Sequence, residues 1–277
     1  MEKMFKRLWG RCAAAVLCAV LLLSAGVRTA SSHGSQDASF RDSSSEARTA
    51  IRNADQPGTS WTDMQRRYRG AFFLSAPGRP RQVALTFDDV PDPRFTPQVL
   101  DILKRKQVRA TFFVVGEKAL KHPDLVRRIR REGHAIGNHS FDHPNFARMS
   151  TAEVRRQIRR TEAVIRRQVG FAPRLIRPPY GEIREPQLKW AKSEGYAVVN
   201  WNVDSLDWRQ LGAQAVFRNV TTAVRPGSII LLHAGGGVGQ NLCGTIEALP
   251  VLIDWLRSKG YEMVALPQML GKSERKA

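Results

Sequence analysis

The sequence predicts an α/β fold in which a parallel sheet curls into a distorted (β/α) barrel. From residue 81 onward, short apolar runs alternate with segments of helical periodicity, which favours parallel strands covered by helices. About seven strands fall within about 190 residues, and this spacing suits a closed or nearly closed barrel. Polar residues follow five of these strands, at the end where α/β barrels carry their active sites.

Each predicted strand is a short apolar run bounded by Gly, Pro or polar residues. The candidate strands are 83–87, 109–115, 135–138, 174–176, 197–202, 228–232 and 262–266. The candidate helices between them are 97–106, 118–132, 150–169, 185–194, 211–223 and 244–258. The segment 150–169 shows the helical pattern clearly, because Ser150 and Glu153 have capping-box spacing and Val154 and Ile158 begin an apolar face.

The N-terminal region predicts export. Basic residues precede an uncharged apolar run, 12–27, which is shorter than the ~20 residues that span a bilayer comfortably. Residues 1–30 therefore form either a cleaved signal peptide or an uncleaved signal anchor, and in both cases the rest of the chain is exported. Residues 31–75 are expected to form a disordered linker or wall-spanning spacer, with docking of the mixed segment 61–74 on the folded domain as the alternative. The folded domain is predicted over 76–270, followed by a basic tail, 271–277.

The charge of the chain favours anionic partners. It has 44 lysine and arginine residues against 25 acidic residues, a formal net charge of +19. An anionic wall polymer or membrane surface is the predicted partner. The alternative is that arginine merely covers solvated helix faces. Nucleic acid is not expected, because the arginine-rich segment 150–169 has neither interleaved aromatic residues nor a binding motif.

Two histidines and a carboxylate form a candidate metal site. Asp88 and Asp89 follow the strand 83–87, and His139 and His143 follow the strand 135–138. Pro144 disfavours helical geometry at His143, so a loop that clamps a metal fits better than a helix face. Two imidazoles and one carboxylate are the ligand set of an open, catalytic zinc site.

Three further polar clusters follow strands. Arg177 to Tyr180 follow the strand 174–176, Asp204 to Trp208 follow 197–202, and His233 follows 228–232. Each cluster alone has an ordinary structural explanation as a turn, an ion pair or a helix cap. Their shared position at strand ends favours one catalytic face.

Together these residues resemble the polysaccharide deacetylase family, the NodB-homology carbohydrate esterases. The resemblance covers about residues 81–270 and is closest to bacterial peptidoglycan and chitooligosaccharide N-deacetylases. The family fold is a distorted (β/α) barrel, in agreement with the strand pattern. The motifs, in order, are Thr86-Phe87-Asp88-Asp89, His139-Ser140-x-x-His143-Pro144, Arg177-Pro178-Pro179-Tyr180, Asp204-x-x-Asp207-Trp208 and Leu231-x-His233.

The resemblance implies a role for each site residue. Asp89, His139 and His143 would hold a divalent metal, zinc in the first place and cobalt, nickel or manganese as alternatives. The metal would lower the pKa of its water and polarise an acetamide carbonyl. Asp88 would be the general base, and Arg177 would keep it ionised and oriented.

The remaining motif residues would complete the site. The backbone N–H of Tyr180 would stabilise the oxyanion, and His233 would protonate the departing amine. Asp207 would hydrogen-bond His233 and support its cationic form, with Asp204 as the alternative partner. Substrate contacts are implied for Trp208, Leu231, Pro178 and Tyr180, of which Trp208 and Leu231 would wall the pocket for the acetyl methyl.

One residue departs from the family pattern. Glycine commonly follows the acidic pair, whereas this chain has Val90 before Pro91. Valine would be strained if the position needs a positive φ, and tolerated if the backbone is extended, as it tends to be before proline. Retained activity is expected because the chemical residues are all present.

The function implied is metal-dependent hydrolysis of N-acetyl groups on GlcNAc or MurNAc units of a cell-wall polysaccharide. Peptidoglycan is favoured, since an export signal, a spacer and a basic charge suit an anionic wall. A chitooligosaccharide deacetylase and a xylan O-acetyl esterase are alternatives within the family. A catalytically silent wall-binding protein and a small-amide amidohydrolase are alternatives outside it. A monomer is the default expectation.

Overall fold

The computed structural model describes residues 60–79 and 81–276. The predicted export signal, 1–30, and the first part of the predicted spacer lie outside the described residues. Within the described part, no helix combines the length and the apolar character needed to cross a bilayer.

A parallel sheet forms the centre of the described fold. Its strand order is β1-β6-β5-β4-β3-β2-β8-β7, and β9 pairs with the beginning of β2. Each adjacent pair is parallel, as the alternation of strands and helices predicts. The strands are β1 (Phe72–Phe73), β2 (Gln82–Val90), β3 (Thr111–Val114), β4 (Ala135–Asn138), β5 (Leu175–Ile176), β6 (Ala197–Val199), β7 (Val203–Asp204), β8 (Ile229–His233) and β9 (Glu262–Met263).

The helices lie between the strands and cover the sheet. The longest, α5, begins with the predicted capping box of Ser150 and Glu153 and ends at Gly170 in the left-handed conformation. The helices are α1 (Trp61–Arg67), α2 (Thr96–Lys106), α3 (Gly116–Lys121), α4 (Pro123–Arg131), α5 (Thr151–Val169), α6 (Glu185–Ser193), α7 (Ala213–Ala223), α8 (Cys243–Ser258) and α9 (Leu266–Leu270).

A short stretch of chain brings the two ends of the sheet together. β6 lies near one end of the strand order and β7 forms the other end, yet only residues 200–202 separate them. The Asn200 N–H donates to the Phe73 carbonyl over 2.8 Å, and the Asn202 N–H donates to the Ile229 carbonyl over 3.3 Å. The sheet therefore curls round on itself, and the predicted distorted barrel of parallel strands is confirmed.

The side chains of β2 point alternately to the helix-covered face of the sheet and to the barrel interior. Val83, Leu85 and Phe87 are fully buried in the largest apolar cluster, with residues of α2 and α8. Ala84 belongs to a different cluster, with Phe113 and residues of β5, β6 and β8. Because side chains alternate along a strand, the positions of Thr86 and Asp88 share the face of Ala84. The barrel interior therefore leads directly to the acidic pair.

The predicted elements are confirmed with a few differences. The single helix predicted over 118–132 is two helices, α3 and α4, which meet at His122 before Pro123. The last predicted strand was too long, because Leu266 begins α9. The two-residue strands β1 and β7 were not predicted, since so few residues show no alternation.

The predicted boundary between spacer and domain was wrong. Residues 61–75 were assigned to a disordered linker, but they contain α1 and β1, and β1 pairs with β6. Met64 and Tyr68 are buried in a cluster with Leu188 and Val198, so this segment belongs to the folded body. The predicted basic tail also packs on the domain, where the Lys276 N–H donates to the Ala172 carbonyl over 2.8 Å.

Candidate active site

The predicted polar clusters meet at one face of the barrel. Asp88 and Asp89 lie near the end of β2, and His139 directly follows β4. Arg177 directly follows β5, and His233 is the last residue of β8. Parallel strands place their carboxyl ends on the same side, so these residues occupy the face where α/β barrels carry active sites.

A β-bulge presents the acidic pair. Phe87 pairs with Phe112 and Val90 pairs with Val114, so β2 has one residue more than β3 over this interval. The extra residue allows a sharp local turn, and Asp89 has a φ of 65°.

Val90 lies beyond this turn. It is fully buried in the apolar core and is not among the residues with positive φ. The strain that valine would suffer at a left-handed position therefore does not arise, because Asp89 takes that position.

Asp89, His139 and His143 bring their ligand atoms together. Nε2 of His143 lies 3.4 Å from Oδ1 of Asp89, and Nε2 of His139 lies 3.8 Å from the same oxygen. The three ligand atoms all lie within 4.8 Å of one another. Burial lowers the pKa of His143 to about 4, which keeps its imidazole neutral, as a metal ligand must be. The donor set and its spacing fit a divalent cation.

Hydrogen bonds orient the histidine-bearing loop. Nδ1 of His139 lies 2.7 Å from the Arg177 carbonyl, to which it donates, and Nε2 is thereby left for the metal. The His143 N–H donates to Oγ of Ser140 over 3.0 Å. Gln157 on α5 accepts from the Phe141 N–H over 2.8 Å. His143 thus lies on a braced loop, as Pro144 predicts, and not on a helix face.

Arg177 is fully buried beneath the acidic pair. Its Nη1 donates to Oδ1 of Asp88 and to Oγ1 of Thr86, each over 2.8 Å. Nε donates to the Val199 carbonyl over 3.0 Å, and Nη2 donates to the Asn200 carbonyl over 3.2 Å. A guanidinium held at four points fixes the position of the carboxylate it faces. The other carboxylate oxygen, Oδ2 of Asp88, lies 3.6 Å from Nε2 of His139.

Asp207 holds His233 through both of its oxygens. Oδ1 accepts from Nδ1 of His233 over 2.8 Å, and Oδ2 accepts from the His233 N–H over 2.8 Å and from Oγ1 of Thr245 over 2.7 Å. Burial opposes a charge on His233, but Asp207, with Asp89 and Asp88 nearby, raises its pKa to about 9. Asp207 is therefore the histidine's partner.

Asp204 was the alternative partner for His233, but it stabilises its own loop instead. Its Oδ1 accepts from the Leu206 N–H over 2.8 Å. Burial raises the pKa of Asp204.

The loop that carries Tyr180 has left-handed backbone at two adjacent positions. Tyr180 has a φ of 59° and Gly181 a φ of 71°. Tyr180 is 57% exposed, and its ring packs edge-on against His143 at a centroid distance of 4.9 Å. Nδ2 of Asn200 donates to the Gly181 carbonyl over 2.9 Å, so the loop is tied to the segment that also supports Arg177.

The N-terminal segment packs on this same loop. A Cβ atom at Gly181 would lie 2.4 Å from the ring of Trp61 and 3.1 Å from that of Trp201, so only glycine fits there. The two indole rings pack edge-to-face at 5.2 Å. Trp61 belongs to α1, and residues that the sequence placed in a spacer therefore help to position the Tyr180 loop.

Comparison with known proteins identifies the family. Residues 75–199 match the family model described as polysaccharide deacetylase. A peptidoglycan-N-acetylglucosamine deacetylase of Bacillus cereus is 46% identical over 223 residues, which cover 80% of each chain. The chain belongs to the polysaccharide deacetylase family. The resemblance drawn from the five motifs is thereby confirmed.

Two further relatives show the range of this family. A chitooligosaccharide deacetylase of Bradyrhizobium is 39% identical over 68% of this chain and 90% of its own. A crystal structure of the Bc1960 peptidoglycan N-acetylglucosamine deacetylase has a TM-score of 0.75 and 46% identity, covering 78% of this chain and all of its own. The polysaccharide deacetylase fold therefore extends over most of the described residues.

The predicted substrate-contact residues of this polysaccharide deacetylase differ in exposure. Leu231 is buried on β8, where it pairs with Thr86 of β2. Trp208 is 36% exposed, and its carbonyl accepts from Nε2 of Gln240 over 3.2 Å. Pro178 is buried, and its carbonyl accepts from the Gly181 N–H over 3.0 Å. Pro178 therefore shapes the Tyr180 loop, whereas Trp208 presents surface to solvent.

Several residues that support the site are not among those predicted from the sequence. Thr245 bonds Asp207, Asn200 links Arg177 to the Tyr180 loop, and Trp61 packs under that loop. Nζ of Lys118 donates to the Asp89 carbonyl over 2.9 Å and to the Gly236 carbonyl over 3.2 Å. These residues lie outside the motifs. Contacts between residues so far apart in the chain leave no local pattern in the sequence.

Proposed function

We propose that this chain hydrolyses the N-acetyl group of N-acetylglucosamine units in peptidoglycan, releasing acetate and leaving a free amine. The observation that carries this proposal is the Asp89, His139 and His143 set, with ligand atoms within 4.8 Å of one another. The Asp88–Arg177 and Asp207–His233 pairs flank it. A relative that is 46% identical bears the name peptidoglycan-N-acetylglucosamine deacetylase.

A divalent metal is required for this chemistry, and zinc is the proposed ion. Two imidazoles and one carboxylate suit zinc and leave coordination positions open, while cobalt, nickel and manganese accept the same donors. When bound, the cation supplies Lewis acidity toward the acetamide carbonyl and toward the attacking water.

Asp88 is the proposed general base. Arg177 holds its Oδ1, whereas Oδ2 faces the metal-binding histidines and lies 3.6 Å from Nε2 of His139. That oxygen is in position to accept a proton from a water that lies near the metal ligands. Arg177 positions Asp88, and its positive charge stabilises the ionised form of the Asp88 carboxylate.

Tyr180 is proposed to serve the oxyanion, and His233 the leaving group. The Tyr180 N–H donates a hydrogen bond to the oxygen that becomes negative as the carbonyl is attacked. His233 gives its proton to the amine nitrogen as the C–N bond breaks. Asp207 favours the protonated form of His233 and fixes the orientation of its ring.

Export is also proposed, because basic residues precede the apolar run 12–27, as in an export signal. The active site would then face the wall polymer outside the membrane. The chain's formal net charge of +19 would favour an anionic wall or membrane surface. A monomer remains the expectation.

Chitooligosaccharides are the second candidate substrate. The chain is 39% identical to a chitooligosaccharide deacetylase of Bradyrhizobium over 90% of that protein. Both substrates present an N-acetylglucosamine unit, so the same catalytic residues serve either polymer.

The test is acetate release by the full chain from peptidoglycan and from chitooligosaccharides, with added Zn²⁺ and with chelator. We expect release that requires metal and is faster on peptidoglycan. Replacing His139 with Ala should abolish tight metal binding and acetate release together. Release that persists in chelator, or unchanged metal content in His139→Ala, would contradict the proposal. Faster release from chitooligosaccharides would support the proposed reaction but identify chitooligosaccharides as the preferred substrate.

A further inference from the structure

Two adjoining cavities lie beside α1 and β1. Their volumes are about 830 Å³ and about 300 Å³, and both are lined by Arg69 and Gly70. The lining residues precede strands: Arg69 comes before β1, Arg79 before β2, Arg174 before β5 and Arg225 before β8. The two cavities share Arg69 and Gly70 and form one surface feature, which extends from the amino ends of these strands to Trp201, beyond the carboxyl end of β6.

This feature, the basic trough, is lined by cations. Within the part of the chain that the structure describes, no Asp or Glu lines either cavity. Arg66 pairs with Asp63 over 2.5 Å, and none of the other cationic lining residues forms an ion pair with a described carboxylate. The cationic residues of the trough are Arg66, Arg69, Arg79, Arg174, Lys192, Arg225 and Lys272.

One of these cations has an unsatisfied buried group. Nε of Arg174 is buried without a hydrogen-bond partner among the described residues. Burying an N–H donor without an acceptor is costly, so a shift of the Arg174 side chain that brings this group to an oxygen-rich ligand in the trough would be favoured. Solvated surface arginines elsewhere in the fold carry no such deficit.

We infer that the basic trough binds an extended polyanion of the cell wall, with phosphodiester or carboxylate groups along its chain. Guanidinium groups pair with both kinds of oxyanion through two parallel hydrogen bonds. A concave trough built from several chain segments suits a narrow polymer better than a flat lipid surface. Trp201 and Phe73, each partly exposed in the larger cavity, offer apolar surface to a polyol or sugar backbone.

Binding there would hold the enzyme on the wall while the proposed catalytic residues work on its substrate. None of the proposed metal ligands or catalytic residues lines either cavity. This inference is independent of the reaction chemistry, because the trough contains none of the proposed catalytic residues.

The test compares two triple variants of the full chain that change net charge equally. The trough variant carries Arg69→Glu, Arg79→Glu and Lys272→Glu. The matched control carries Arg131→Glu, Arg156→Glu and Arg167→Glu, which are exposed on α4 and α5. Fluorescently labelled poly(glycerol phosphate) and polygalacturonate serve as probes, with anionic phosphatidylglycerol vesicles and single-stranded DNA as competing ligands. Titrations at two salt concentrations report on the number of ionic contacts.

We expect the trough variant to weaken binding of at least one wall-type polyanion by about tenfold or more, and the control by less than about threefold. The probe that binds identifies the anionic group. Acetate release from uncharged chitooligosaccharides should be unchanged in both variants, so failure of this inference is distinct from failure of the proposed function. Equal weakening in both variants, preferential binding of vesicles or DNA, or no polyanion binding would each overturn it.

Discussion

The active site contains two buried carboxylates that are held in opposite ways. Asp88 accepts from Arg177 through Oδ1 alone, and its Oδ2 faces His139 at 3.6 Å. Asp207 uses both oxygens, and Oδ2 alone accepts from the His233 N–H and from Thr245. One carboxylate therefore retains an oxygen toward a proposed metal ligand, whereas both oxygens of the other hold His233.

Asp88 and Asp207 also differ in their cationic partners. Arg177 never loses its proton, so it serves as a fixed positive charge that positions a base. His233 can lose its proton, and Asp207 raises its pKa so that it holds one at neutral pH. The same kind of ion pair thus supports the proposed base, Asp88, in one case and the proposed acid, His233, in the other.

Replacing Asp88 with Asn should have the largest effect on rate. The amide retains the shape of the side chain but cannot accept the proton, so acetate release should fall by about a thousandfold or more. Zinc content should match that of the unaltered protein, because Asp88 is not one of the proposed ligands. Near-normal turnover would remove Asp88 from its role and with it the contrast between the two carboxylates.

Replacing Arg177 with Lys should have the next largest effect. Lysine retains the charge but cannot reproduce hydrogen bonds to Asp88, Thr86, Val199 and Asn200 together. A misplaced base should lower kcat by about a hundredfold. Arg156→Lys, on the exposed face of α5, is the matched control and should leave kcat unchanged. If Arg177→Lys behaves like that control, charge alone is sufficient at this position.

Replacing Thr245 with Val should have the smallest effect. It removes one hydrogen bond to Oδ2 of Asp207 but leaves both bonds from His233. The loss of one buried hydrogen bond is worth about 1 kcal/mol, so kcat/KM should fall by about fivefold. A loss as large as that of Asp88→Asn would show that Asp207 depends on Thr245 for its position.

The grouping of the site residues could be predicted from the sequence because they belong to short motifs at strand ends. Asp88, His139 and His233 each follow or end an apolar run, and parallel strands bring such residues together. The bulge that turns Asp89 could not be predicted, since it depends on how β2 pairs with β3.

The supports of the site could not be predicted for a related reason. Asn200 and Trp61 act through contacts with Gly181, and Trp61 is separated from it by more than a hundred residues. The segment containing Trp61 is mixed in composition, so its sequence left open whether it is part of the spacer or docks on the domain. Its burial against residues such as Leu188 decides its structure.

The most direct test is the pH dependence of kcat/KM for acetate release by the unaltered protein and by Asp207→Asn, at saturating zinc. His233 must be protonated to act as an acid, so the rate should fall as pH rises through its pKa. Removing the negative charge of Asp207 lowers that pKa, and the alkaline limb should therefore move to lower pH. An alkaline limb that stays in place in Asp207→Asn, whatever the loss of rate, would contradict the division of roles between the two pairs.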